Sequence, residues 1–174
     1  TILEMGCGNC WLSARLAEAG HSVTGIDTCS EELEQARRVF GHLPTTWIPG
    51  DPWNDQLPLH SFDLVLFAAS IQYFPDPRSL VMRCRELLKD DGEILIIDSH
   101  FYPDAAAAGQ ASARSKAYYA SVGTPEMAGY YHHHTRSALT EACAVGSVEV
   151  IPPRGKAAAL LLGRFPFPIV RIRP

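Results

Sequence analysis

The sequence predicts an α/β fold: a mostly parallel sheet as the middle of three layers, with helices on both faces and an antiparallel final edge strand. Three observations carry this. Short β-like runs alternate with helical patterns from Thr1 to about Asp98, as successive βαβ units do. Phe62 to Ala68 is continuously apolar, which suits a central parallel strand covered on both faces. Gly6-Cys7-Gly8-Asn9-Cys10 follows the first β-like run and precedes the first helical pattern, so its glycines can make a tight strand-to-helix turn.

Thr1 to Met5 reads as a buried strand. Beyond the glycine turn, Leu12, Leu16 and Ala19 share one face of a helix that Gly20 ends. Ser22 to Ile26 is the second strand, closing on Asp27. Ser30 or Cys29 begins the next helix, with Leu33, Ala36 and Phe40 inward, Glu31, Glu32, Glu34 and Arg38 toward water, and Gly41 as its stop. A short strand at Thr45 to Ile48 leads through Gly50-Asp51 and a proline-rich loop to the Phe62 strand. Asp76-Pro77 supplies an N-cap and a first-turn proline. Leu80, Val81, Cys84, Leu87 and Leu88 of that helix face inward, and Arg83, Arg85 and Glu86 outward. Asp91-Gly92 then turns the chain into a buried strand, Glu93 to Asp98.

Here the alternation breaks. Ser99 to Tyr131 is rich in Ala, Ser, Gly and Tyr and reads as a partly helical insertion outside the sheet, a candidate lid. Thr135 caps a helix carrying Leu139, Ala142 and Cys143, and Ser147 to Ile151 is a strand. Ala157 to Leu162 fits helix and strand alike and is assigned to helix. Pro166 to Arg173 is the final edge strand, with prolines at its start. The chain opens without Met on the apolar run Ile2-Leu3-Glu4-Met5, which predicts further sequence upstream.

The 174 residues, 47% hydrophobic and 20% charged, suffice for one domain with a substantial core. A net charge of −4 without any cluster of Lys and Arg opposes a nucleic-acid partner. Phe62 to Ala69 and Ala157 to Gly163, the longest apolar stretches, fall far short of the roughly 20 residues that span a bilayer. A soluble, cytoplasmic protein is expected. The five cysteines show no disulfide-like spacing, which suits a reducing compartment.

Trp11 stands where a dinucleotide-binding turn has its third glycine, and an indole there opposes a pyrophosphate on the helix terminus. Cys7 and Cys10 form a Cys-x-x-Cys inside the same turn. No second Cys pair or suitably spaced His pair accompanies them, which disfavours redox or metal chemistry. His132-His133-His134 are adjacent, so they point in different directions and cannot readily share one ion. They read as a polar approach to the Thr135 cap, with one His lining the pocket. No metal is expected.

Five segments in order resemble the class I S-adenosylmethionine-dependent methyltransferases, a Rossmann-like family. Ile2-Leu3-Glu4-Met5-Gly6-Cys7-Gly8 resembles their first motif, Val23-Thr24-Gly25-Ile26-Asp27 their second strand, and Gly50-Asp51 their adenine-contacting pair. Phe62-Asp63-Leu64-Val65 with Gln72-Tyr73-Phe74-Pro75-Asp76-Pro77 resembles the fourth-strand motif, and Leu87-Leu88-Lys89-Asp90-Asp91-Gly92-Glu93 the turn into the fifth. Less specifically, Tyr131 to Glu141 resembles the approach to the family's late helix. Cys10, where many members have glycine, and Cys29, where Ser is common, depart from the pattern but are small.

The resemblance implies S-adenosylmethionine as cofactor and S-adenosylhomocysteine as product. It places Asp27 on the ribose hydroxyls, Asp51 on the adenine amino group with Pro52 and Trp53 beside the ring, and Thr28 at the ribose or adenine edge. It sets Glu4 and the Gly6 backbone near the methionine amino group, with Cys7 and Gly8 in the same turn, and Phe67 and Ala68 near the sulfonium. Read without it, Asp27 is a helix-start acid and Asp51 makes an Asx turn before Pro52.

The implied reaction is displacement at the S-methyl carbon, in which alignment and exclusion of water do much of the catalysis. A general base is optional, and Asp98, His100, Tyr73 and one of His132 to His134 are its candidates. Tyr118-Tyr119 and Tyr130-Tyr131 fit an aromatic wall near the acceptor and lid packing equally well. On this reading the chain is one methyltransferase domain: a cofactor-binding half at 1–98, a substrate lid at 99–131, and a closing helix and strands at 132–174. The partners expected are a small-molecule methyl acceptor and, at most, a second copy of the chain, without nucleic acid or membrane. The alternatives are a non-catalytic S-adenosylmethionine-binding sensor or partner subunit and, disfavoured by Trp11, an NAD-dependent oxidoreductase.

Overall fold

A computed structural model describes residues 1–53, 56–143, 147–151 and 167–173. Among these residues, seven strands form one sheet: β1 (Ile2–Met5), β2 (Val23–Asp27), β3 (Thr45–Pro49), β4 (Phe62–Ala68), β5 (Leu88–Ile97), β6 (Ser147–Ile151) and β7 (Ile169–Arg173). Their spatial order is β3-β2-β1-β4-β5-β7-β6. The first five pair in parallel, and β7 runs antiparallel to both β5 and β6. The final strand is therefore antiparallel as expected. It lies one place inside the edge, with β6 outermost. The expected helix at Ala157 to Leu162 and the start of the expected last strand at Pro166 lie outside the described residues.

Among the described residues, five α-helices accompany these strands: α1 (Trp11–Glu18), α2 (Ser30–Phe40), α3 (Pro77–Leu87), α4 (Ala105–Ser121) and α5 (Arg136–Ala142). Alternation along the strands sends side chains to opposite faces. Ile2, Val23 and Leu66 meet Ala17, Leu12 and Leu16 of α1 on one side. Leu3, Val65 and Phe67 meet Leu80 and Leu87 of α3 and Leu139 of α5 on the other. None of the described helices is long and apolar enough to cross a membrane.

Three local expectations are corrected. The face of α1 that is fully covered carries Ser13, Ala14 and Ala17, while Leu12 and Leu16 are partly covered and Ala19 is exposed. Small side chains let this helix lie close on the sheet. Leu88 is the first residue of β5 rather than the last inward residue of α3. Its pairing jumps from Phe62 opposite Leu88 to Leu64 opposite Glu93, so Lys89 to Gly92 stand out of register and the continuous pairing with β4 resumes at Glu93, where the strand was expected to start. A Cβ on Gly92 would stand 2.8 Å from Leu88 Cδ2, which is why this position is bare. The strand also stops at Ile97, and Asp98 beyond it turns left-handed, at φ +52°.

From β1 the sheet grows outward through β2 and β3, then restarts on the other side of β1 with β4. The loops after β1 and β4 therefore leave in opposite senses, and a crevice opens at the C-terminal ends of the strands. One hydrogen bond ties its two lips together, Ser70 Oγ to the carbonyl of Met5 at 2.6 Å.

Candidate functional site

A cleft of about 790 Å³ lies at that crevice. Its floor is the glycine turn, with Gly6 at φ +69° and Gly8 at φ +52°, backbone that other residues rarely adopt. A Cβ on Gly6 would stand 2.7 Å from Ser70 Cβ, so a side chain there would force β1 and β4 apart at the cleft. Five N–H groups of the turn are committed within the protein: Gly6 and Cys7 to the Ile26 carbonyl, Gly8 to Asp27, Cys10 to the Cys7 carbonyl, and Trp11 to Asn9. A pyrophosphate would find these donors taken.

Asp27 organises the cleft from the tip of β2. Its Oδ2 accepts the Gly8 N–H at 2.7 Å and its Oδ1 the Cys29 N–H at 2.8 Å, so the carboxylate joins the glycine turn to the start of α2. A carboxylate offers about four lone-pair sites, and these two bonds leave others for a ligand. Asp51 makes the Asx turn expected of it without a ligand, accepting the Trp53 N–H at 2.9 Å. Its partners Pro52 and Trp53, with Thr28, also line the cleft.

The other members of the expected site lie behind it. Glu4 is buried under α1 and takes a hydrogen bond from Ser13 Oγ; burial, more than any other influence, raises its pKa to about 7. Cys7 points away from the cleft toward Cys10, with the sulfurs 3.4 Å apart. The Cys10 hydrogen bond and then burial push the Cys7 thiol far above its usual range, so it is not a reactive thiolate. Phe67 is sealed in the core, edge-on to Phe74 at 5.6 Å. Phe74 takes the cleft position instead, and Ala69 replaces Ala68 because the chain turns left-handed there, at φ +51°.

Of the candidate bases, Tyr73 lines the cleft, whereas Asp98 and His100 do not. Burial and then Tyr119 raise the Tyr73 pKa, which keeps it a phenol. Glu32, Ser70, Pro75, Met127 and Tyr130 are wall residues that sequence reasoning missed. Glu32 faces outward by helical period, yet the first turn of α2 starts at the same sheet edge as the glycine turn. That shared edge was the available signal. Met127 and Tyr130 come from a 3₁₀ turn (Pro125–Gly129) and the residue after it, within the expected lid. Among the described residues, no three His, Cys, Asp or Glu side chains are grouped to hold a metal ion.

Residues 3–96 match the family model described as a methyltransferase domain. The chain belongs to that family. This methyltransferase domain is 36% identical over 100 residues to the ubiquinone biosynthesis O-methyltransferase of Actinobacillus pleuropneumoniae serotype 5b, an overlap of 52% of this chain and 42% of that protein. It is 30% identical over 96 residues to an uncharacterized methyltransferase of Mycobacterium bovis, covering 55% of this chain and 49% of the other. The methyltransferase domain thus spans less than half the length of these curated relatives. Among solved structures, an S-adenosylmethionine-dependent methyltransferase from Mesorhizobium loti superposes with a TM-score of 0.72 at 23% identity, covering 99% of this chain and 90% of that one. At that identity the likeness establishes the fold.

Proposed function

We propose that this methyltransferase domain binds S-adenosylmethionine in the cleft and transfers its methyl group to a small-molecule nucleophile. The observation that carries the reading is Asp27, a carboxylate held at the tip of β2 by two backbone N–H groups, facing a cleft in a chain of the methyltransferase-domain family. The donor set fits the cofactor. Asp27, Glu32 and Asp51 supply anionic acceptors for hydroxyl, amino and ammonium groups, and Ile26, Pro52, Trp53 and Phe74 supply apolar wall for a nucleoside. No Lys or Arg stands among the described lining residues, which suits a cation and not a diphosphate.

S-adenosylmethionine supplies an activated methyl group on a positively charged sulfur. The chain's own residues bind, align and exclude water. Asp27 fixes the ribose through charge-assisted hydrogen bonds, and the strap of Tyr73, Phe74 and Pro75 walls the cleft beyond Ala69. Met127 and Tyr130 narrow the mouth from the 99–131 segment, which we read as the lid. The net charge of −4 supports an acceptor that is not a nucleic acid, and five free cysteines support a reducing, cytoplasmic setting.

A thermal-shift series with S-adenosylmethionine, S-adenosylhomocysteine and NAD tests the reading. At about 100 times its Kd a ligand adds roughly 2.7 kcal/mol, or roughly 5–10 °C in Tm for a chain of this size. Both adenosyl ligands are expected to give that rise, and NAD none. A rise with NAD alone contradicts the reading.

A further inference from the structure

Helical period turns Arg83 of α3 toward water, yet its side chain is 13% exposed, against 59% for Glu86 one turn on. The guanidinium is drawn in by a carbonyl 31 residues away in sequence. Its Nε–H donates to the Pro52 oxygen at 2.8 Å, and its Nη1 pairs with Glu86 at 2.8 Å. A charged donor on a carbonyl makes one of the stronger hydrogen bonds in a protein. This one ties α3 to the loop after β3 that walls the cleft.

The Pro52 carbonyl and the Trp53 N–H belong to a single peptide group, and both of its ends are tied. The oxygen accepts from Arg83, and the N–H donates to Asp51 Oδ1 at 2.9 Å. A peptide plane held at both ends cannot turn over, and a cation on its oxygen polarises its N–H toward the carboxylate. Pro52 anchors the same point, because its ring fixes φ and its side chain is fully buried. Asp51 and Trp53 on either side are exposed and line the cleft. Trp53 also borders a second hollow with Met82 and Arg83, so the indole stands between α3 and the cleft.

Resting on the proposed function, we propose that Arg83 is a positioning residue of the cofactor site: through the Pro52–Trp53 peptide it aims Asp51 at the amino group of the adenine ring and seats Trp53 beside it. Arg83 is not among the lining residues and touches no ligand. It acts before binding, by holding the loop in the arrangement the ring needs, so that binding does not carry the cost of ordering Asp51 and Trp53. An adenine amino group donates to Asp51. A hypoxanthine ring presents a carbonyl oxygen at that position, and two acceptors facing one another repel. The site therefore selects adenine, and Arg83 sets how strictly.

Two measurements test this. Amide hydrogen exchange of Trp53, followed by NMR in the free protein, reads the positioning. Calorimetry of S-adenosylhomocysteine against S-inosylhomocysteine, the same molecule with hypoxanthine in place of adenine, reads the selection. Arg83→Met keeps the aliphatic stem and removes the donor. In that variant we expect Trp53 N–H to exchange about tenfold faster than in wild type. The wild type is expected to prefer the adenosyl ligand by at least about tenfold, and Arg83→Met, with its fold checked by circular dichroism, to lose most of that preference. Arg83→Lys, which restores a charged donor, is expected to recover part of it. In an Asp51→Ala background Arg83→Met is expected to weaken S-adenosylhomocysteine less than it does in wild type, because the group it aims is gone. A folded Arg83→Met with unchanged preference overturns the proposal, as does one with unchanged Trp53 exchange. If Arg83→Met does not fold, Arg83→Lys carries both comparisons, with smaller changes expected and unchanged values overturning the proposal. A wild type that binds both ligands equally shows that Asp51 reads no amino group and overturns it as well. A wild type that binds neither contradicts the proposed function instead, and Trp53 exchange then decides whether Arg83 holds the loop.

Discussion

Glu4 is a carboxyl sealed beneath α1 with Ser13 as its partner, and burial raises its pKa from 4.5 to about 7. Between those values the folded protein keeps a proton that the unfolded chain gives up. Its contribution to stability is therefore full below about pH 4.5 and is lost as pH rises toward 7. Glu4→Gln removes the ionisable group and keeps the shape. We expect little change in Tm at acid pH and a gain on the order of 3 kcal/mol above neutrality, at about 1.4 kcal/mol per pKa unit. A variant less stable than wild type on the alkaline side would show that Glu4 makes a charged interaction when folded. Asp51 sits at the open edge of the cleft and already spends one oxygen on the Trp53 N–H. Asp51→Ala is expected to weaken S-adenosylhomocysteine by less than Asp27→Ala does, because water can replace one contact there; calorimetry of both variants ranks the two acids.

At the scale of the element, α3 and α4 are capped alike and packed differently. Asp76 accepts from the Arg78 and Ser79 N–H groups at the start of α3, and Asp104 from the Ala107 N–H at the start of α4. Buried under α3 are Leu80, Val81, Cys84 and Leu87, whereas α4 buries Ala108 and Ala111 alone over 17 residues. Asp76→Ala is expected to cost about 1 kcal/mol of global stability, measured by denaturant unfolding. Helix α4 contributes so little apolar contact that it should open on its own, with amide exchange much faster than in α3. Equal protection of the two helices would contradict a separately opening lid. The sequence made α3 legible because its apolar residues recur at helical spacing between a clear cap and a strand. The buried face of α1 was less so, since Ser13 and Ala14 carry no hydrophobic signal and lie against the sheet only because they are small.

Across the whole molecule, the parallel half of the sheet was readable because each strand is an apolar run closed by a turn or helix signal. The inner position of β7 was not, since both of the last strands have the same alternating pattern and only tertiary pairing decides which one meets β5. The cleft was legible at Gly6, Gly8, Asp27, Thr28 and Asp51 to Trp53, where the chain leaves a strand at a recognisable turn. The cleft lining differs from the expected residues at Ala68, where a left-handed Ala69 redirects the chain, and at Glu4, whose side chain the strand's alternation sends under α1. Charge and fold converge on one claim: the crevice beside β1 takes an adenosyl cofactor through Asp27. Titration calorimetry of S-adenosylhomocysteine into wild type and Asp27→Ala, with folding checked by circular dichroism, tests it most directly. The account predicts binding by the wild type and a loss of at least about 1.5 kcal/mol in a folded variant, the range for hydrogen bonds to a charged group; an unchanged affinity in that variant would contradict it.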